Sequence, residues 1–170
     1  MKLKGLNITL GQPASIPSVI EDDGQDFIRI DTLPPQNLEH QTIVSLEMSC
    51  LNRRRVRRRL TAPDGTSFGL ALPTGTILEP ETILFKTPSR AYVVKAALEA
   101  VLVIQAKDWV EAARVAHQIG NLHRDVQFSN NSKLELFTLW DGVLELLLLR
   151  LNVKFSRDSR PFLGRPSWEH

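Results

Sequence analysis

A single cysteine, Cys50, occurs in the 170 residues. No disulfide can therefore close within the chain, which fits a reducing compartment, and the lone thiol reads as a small buried apolar side chain. Long apolar runs are missing as well. The longest, Leu146 to Leu149, falls far short of the roughly 20 residues that span a bilayer, so no membrane association is expected. Lys2 and Lys4 are followed by no long apolar core; without a secretory signal, a cytoplasmic protein is expected. Net charge is small: 21 basic against 19 acidic residues leave +2, which favours no particular partner. No glycine-rich phosphate loop, nucleophile-and-base motif or paired-carboxylate signature occurs, so the chain does not read as an enzyme. What remains is an ordinary globular composition, 42% apolar and 24% charged, in a length that suits one medium domain or two small ones.

Residues 1–40 carry four prolines, the acidic patch Glu21-Asp22-Asp23 and two strand-like pieces, Leu6 to Leu10 and Phe27 to Ile30. They read as an N-terminal extension, or as an extra strand packed on the next domain. Residues 41–88 have a β pattern throughout. Val44, Leu46 and Met48 alternate with polar neighbours, Pro63-Asp64-Gly65 is a hairpin turn signal with a return strand Ser67 to Leu72, and short strands follow at Thr76 to Leu78 and Thr82 to Lys86. Before the hairpin, six arginines surround Val56. On one strand, Arg53, Arg55, Arg57 and Arg59 would share a face while Arg54 and Arg58 point the other way. The first reading is a solvated strand whose charge keeps other edges away. Docking of an acidic protein partner on those four arginines comes second. Nucleic acid comes third, because no aromatic residue is interleaved to stack bases.

Residues 90–156 alternate strand and helix patterns. Tyr92 to Gln105 reads as one strand entering a second domain, followed by a helix from Asp108 to Ile119, a strand from His123, a strand Leu134 to Leu139, a helix Gly142 to Leu151 capped by Asp141, and a short strand Val153 to Phe155. The order β-α-β-β-α-β is the ferredoxin-like arrangement, which makes the whole chain α+β, a small all-β domain followed by a ferredoxin-like one. Residues 157–170 are a tail. The last helix is apolar nearly all round and has more apolar surface than its own sheet can bury. A homodimer interface accounts for the surplus; so would contact with the β domain or the N-terminal extension.

The most informative stretch runs from Ala113 to Phe128. Apolar residues at helical spacing bring a helix to Gly120, where a left-handed residue would end it, and Asn121 tolerates that conformation too. His123 then lies at a helix-to-strand corner, with His117 on the last helical turn. Two imidazoles around a fixed corner are a possible metal site. On spacing alone, His117 reads first as a helix C-terminal residue facing exposed carbonyls, ahead of ligation, and His123 reads at least equally as a half-buried polar residue at a strand start. His40 reads as an exposed loop residue.

The pattern His-x-x-Gly-Asn-x-His, here His117, Gly120, Asn121 and His123, resembles the motif of the UreE urease accessory proteins, a family of nickel metallochaperones. Trp140-Asp141-Gly142-Val143-Leu144 resembles that family's Asp-His-Val-Leu segment, and Arg160-Pro161-Phe162 its Pro-Phe segment. Thr61 to Gly65 and Gly69 to Thr76 resemble its N-terminal domain, with Glu79-Pro80-Glu81 where a second Asp-Gly turn is usual. The resemblance covers residues 42–162. It implies a ferredoxin-like second domain, a symmetric homodimer, and His123 as the primary ligand for Ni2+, with Zn2+ or Cu2+ possible at the same site. It also implies the urease-assembly GTPase and apo-urease as partners. The family's histidine in the Asp-His-Val-Leu segment is replaced by Gly142, Trp140 stands where some members have histidine, and no histidine-rich tail is present. Few ions per dimer are therefore expected, with His170 a second candidate ligand and His117 ranked last. The alternative is a binding module of the same fold that works through the basic strand 53–59 on protein or RNA.

Overall fold

In the stretch Thr42–Met48, strand β3, Leu46 and Met48 turn inward while Ser45 and Glu47 face solvent, the period of two that a half-buried strand requires. The computed structural model describes residues 19–22, 25–129 and 134–164, with side chains from Phe27 onward. Strand β3 pairs in parallel with β7 (Arg90–Ala96), which pairs on its other side with β6 (Ile83–Lys86). A second sheet has the order β1-β2-β5-β4, built from Val19–Asp22, Gln25–Ile30, Ser67–Ala71 and Arg57–Thr61. The two sheets share one core, in which Ile30, Phe68 and Leu70 from one meet Leu46, Met48, Tyr92 and Val94 from the other. Phe68 and Tyr92 pack edge to face at 4.9 Å between centroids.

The expected hairpin forms at Pro63-Asp64-Gly65. Gly65 has φ of 86°, and the Asp64 carboxylate accepts from Thr66 N–H, from the Tyr92 hydroxyl (3.0 Å) and from Arg90 Nη1 (2.8 Å). Residues 25–30 are a strand of this domain, paired in parallel with β5; the piece Leu6 to Leu10 lies outside the described residues. Thr76 to Leu78 forms no strand. Leu78 is instead fully buried in an irregular segment whose N–H bonds Arg53 O at 2.9 Å.

Two further expectations are corrected. The arginine run is not one strand. Ser49 caps a single helical turn, α1 (Cys50–Arg53), by accepting from Asn52 N–H, and β4 begins only at Arg57. Arg53, 1% exposed, therefore sits on a different element from Arg57 and Arg59 and leaves the expected face. Likewise, Tyr92 to Gln105 is two strands in two sheets. Ala97 N–H completes the pairing of β7 by donating to Met48 O, and β8 (Leu98–Gln105) then joins the second domain, so residues 90–96 belong to the first. A run rich in Val, Leu and Ala suits both sheets equally, and no glycine or proline marks the crossing.

The second sheet system has the order β11-β8-β10-β9, antiparallel at every pairing. Helix α2 (Trp109–Asn121) and helix α3 (Gly142–Arg150) cover one face, where Ala112, Val115, Ile119, Leu144 and Leu148 close over Leu102, Ile104 and Leu136. Asp108 caps α2 by accepting from Glu111 N–H; Asp141 caps α3 by accepting from Val143 and Leu144 N–H. On the opposite face Val101, Val103 and Phe137 pack against Cys50 and Phe162. Strand β9 is only Gln127–Phe128, so the strand expected from His123 starts four residues later. Strand β11 (Lys154–Pro161) is longer than the expected Val153 to Phe155 and pairs with β8 along its whole length, taking the start of the expected tail into the sheet. Its charged residues suit an edge. Among the described residues no helix is long and apolar enough to cross a membrane.

Candidate metal centre

Helix α2 does not stop at Gly120. Ile119 is fully buried, and its carbonyl accepts from Leu122 N–H at 3.1 Å and Arg124 N–H at 3.3 Å, while His123 N–H donates to Gly120 O at 2.8 Å. This is a Schellman ending with Leu122 as C-cap, and the left-handed residue it needs is His123 itself, with φ of 54°. A position where glycine is the low-cost choice thus carries an imidazole, and that imidazole is exposed.

The corner is held from several sides. Arg124 Nη2 donates to Asp141 Oδ2 at 2.6 Å, joining it to the cap of α3. That hydrogen bond, with the capping N–H of Val143, holds the Asp141 carboxyl below its ordinary pKa. The carbonyl of Asp125 accepts from the buried Thr138 hydroxyl at 2.7 Å, and its carboxylate pairs with Arg54 Nη1 at 2.7 Å. His123 opens onto a depression of about 430 Å³ that it lines with Arg54, Arg124, Asp125, Asp141 and Phe162. Both nearby carboxylates are already engaged by arginines. Among the described residues, no group of three or more His, Cys, Asp or Glu side chains could hold a metal, and His123 is the one histidine that lines this depression.

Neither His117 nor His40 lines this depression. His117 is exposed on α2, its Nε2 3.2 Å from Asn121 Nδ2, which donates to it. His40 is exposed ahead of β3, and His170 lies outside the described residues. Gly142 opens α3 with nothing within 4 Å of where a Cβ would stand; a histidine would fit there, so its replacement is a loss of chemistry and not of space. Trp140 is braced instead: Nε1 donates to Glu145 at 3.2 Å, and Arg157, bidentate to Glu145, lies 5.3 Å over the ring.

Beside the corner, α3 turns Val143, Leu146 and Leu149 outward at 63%, 57% and 60% exposure, with Leu122 adding to the same surface across a groove between α2 and α3. Of the arginines, Arg57 and Arg59 share the solvent face of β4 and Arg55 is exposed just before it. Sheet pairing brings an aromatic to them that the run itself lacks, since Arg59 lies 4.8 Å over the Phe27 ring. Arg58 turns inward to the Met48 sulfur, and burial lowers its pKa. Sequence reasoning did not find Arg54 or Thr138, because only the folded chain brings them to the corner; Asp125, two residues after His123, read only as part of the expected strand.

The family model for the UreE urease accessory protein N-terminal domain matches residues 29–97, and that for its C-terminal domain matches residues 99–167. The chain belongs to the UreE urease accessory protein family. The division at residue 98 falls at the step from β7 to β8. The urease accessory protein UreE of Deinococcus radiodurans is 51% identical over 127 residues, covering 75% of this chain and 80% of its own. The UreE of a Synechococcus strain is 42% identical over 78% of this chain and 85% of its own, and that of Staphylococcus carnosus 34% identical over 72% and 78%. UreE proteins are accessory proteins, not enzymes, and the two-domain α+β architecture described above fits that membership.

Proposed function

We propose that this UreE-family protein carries nickel for urease assembly, gripping the ion between two copies of itself with one His123 from each. The observation that carries the reading is the exposed imidazole at a left-handed position, beside an apolar surface on α3 that its own sheet leaves uncovered. If that surface lies across a two-fold axis, every side chain near the axis occurs twice, and two imidazoles face one ion. Nickel, zinc and copper all accept imidazole nitrogen. Asp125 and Asp141 stay with their arginines, so the remaining coordination positions fall to water, to the receiving protein or to His170. Such an incomplete shell releases its cargo more readily than a closed structural site. Ligation needs the neutral ring, so loading weakens as the imidazoles protonate. The strand order β11-β8-β10-β9 with both helices on one face supports the ferredoxin-like reading of the second domain. The partners on this reading are a second copy, the urease-assembly GTPase and apo-urease, all met in the cytoplasm.

Calorimetric titration of nickel into the metal-free protein and into His123→Ala tests it. A tight site in the first that vanishes in the second is expected; equal binding by both, or none by either, would overturn it. A second reading rests on the exposed pair Arg57 and Arg59 with Phe27 beside them: a module docking an acidic protein or RNA. Salt-sensitive binding lost in Arg57→Ala, with no nickel binding at all, would favour it.

A further inference from the structure

Helix α1 belongs to the first domain, yet it packs on the back of the second domain's sheet. Cys50 joins Val101, Val103, Phe137 and Phe162 in one apolar cluster, and its N–H donates to Glu99 Oε2 at 2.7 Å. The buried guanidinium of Arg53 donates from Nη2 to Phe162 O at 2.6 Å. Gly164, at φ of 76°, passes so close that a Cβ there would collide with the Arg54 guanidinium and the Cys50 sulfur. This wedge has one arm to the corner. Arg54 Nη1 meets Asp125 Oδ2 at 2.7 Å, with the two side chains only 23% and 17% exposed. Asp125 follows His123 by two residues, and its carbonyl is pinned from the other side by Thr138.

We propose that Arg54 is a positioning residue for the His123 imidazole. Through Asp125 it fixes the chain as it leaves the left-handed turn, so the first domain sets how firmly the second holds its ion. A partner that shifts the first domain would then alter the grip without touching the metal. This rests on the reading of His123 as the nickel ligand. It goes beyond that reading by placing a determinant of affinity in the other domain.

The test uses the full chain as wild type, Arg54→Ala, Asp125→Asn and Arg54→Lys, with amide hydrogen exchange on the metal-free proteins and nickel titration on the same samples. Asp125→Asn attacks the contact from its other end with nearly unchanged shape, so a folding defect in Arg54→Ala alone does not decide the result. In Arg54→Ala and Asp125→Asn, the amides of Leu122, His123 and Arg124 should exchange about tenfold faster, while those of β8 and β10 keep their protection. Nickel affinity should fall roughly tenfold, the scale on which losing an outer partner of a metal ligand acts. Arg54→Lys, which keeps the charge, should recover most of both. Unchanged exchange at the corner overturns the inference, and so does faster exchange with unchanged nickel affinity. A wild type that binds nickel through His123 while the variants bind equally well overturns it alone; a wild type that binds no nickel overturns the proposed function with it.

Discussion

Replacing His123 by glycine should make the metal-free protein more stable while removing the imidazole proposed above to hold nickel. The residue sits at φ of 54° in the Schellman ending of α2, with its side chain exposed. An L-residue pays roughly 1–2 kcal/mol for the left-handed conformation. Glycine avoids that strain but loses about 0.5–1 kcal/mol more backbone entropy on folding. The difference favours the glycine variant by about 0.5–1 kcal/mol, or a rise of about 1–4 °C in Tm for a chain of this size. His123→Ala keeps the strained backbone and should lie close to wild type. The assay is urea unfolding in the presence of a chelator, read as a shift of midpoint at constant slope, since only stability and not exposed area should change. A glycine variant less stable than wild type would show that the left-handed backbone at residue 123 is not the dominant cost there. It would mean that the folded protein holds the imidazole, and that a structural role is enough to explain a histidine there.

Other outcomes follow from the same geometry. Leu146 keeps 57% of its surface exposed, so covering it at a two-fold seam has about 1–1.5 kcal/mol per copy to contribute. Leu146→Ala should therefore raise the dimer dissociation constant roughly 30- to 140-fold by sedimentation equilibrium; an unchanged constant would take α3 out of the seam. Arg53→Ala should lower unfolding stability by about 2–4 kcal/mol, because it opens a cavity and strips the Phe162 carbonyl of its donor. Arg53→Met, which fills the space and removes a buried charge whose Nε and Nη1 have no hydrogen-bond partner among the described residues and whose ion pair with Glu79 is 4.0 Å long, should cost less than half as much by urea unfolding; equal costs would show that the charge itself stabilises the fold. The Asp141 carboxyl is held below its ordinary pKa by Arg124 first and by capping N–H groups next. With the folded value depressed, its contribution is present above the unfolded value of about 3.9 and is lost as pH falls through the folded value. Arg124→Ala should move the Asp141 titration, followed by carboxyl carbon NMR, upward toward the ordinary value; an unmoved curve would show that the N–H groups alone set it.

Much of the second domain was legible because its signals are local. Asp108 and Asp141 each precede an apolar helical run and each caps it. Apolar residues at alternate positions put Leu102, Ile104 and Leu136 under the helices. Gly120 misled the reading of the corner for a physical reason: the end of α2 is set by where buried Ile119 needs its carbonyl satisfied, and that places the left-handed turn on His123. The arginine run misled because α1 is one turn long, too short to show a helical period, and its cap at Ser49 lies outside the run. The step from β7 to β8 carries no turn residue. At the site, the motif singled out His123, but what steadies it comes from elsewhere. Arg54 and Asp125 are 71 residues apart in sequence, and no spacing rule joins residues of two domains.

On the proposed reading, one ion is held by the same imidazole from two copies. Nickel K-edge X-ray absorption on the protein loaded with about half an equivalent of Ni2+ per chain, at a concentration where it is dimeric, tests this most directly. Scattering from two imidazole rings is expected in the wild type and from neither in His123→Ala. A shell of oxygen ligands alone in the wild type, or two rings that survive the substitution, would contradict it.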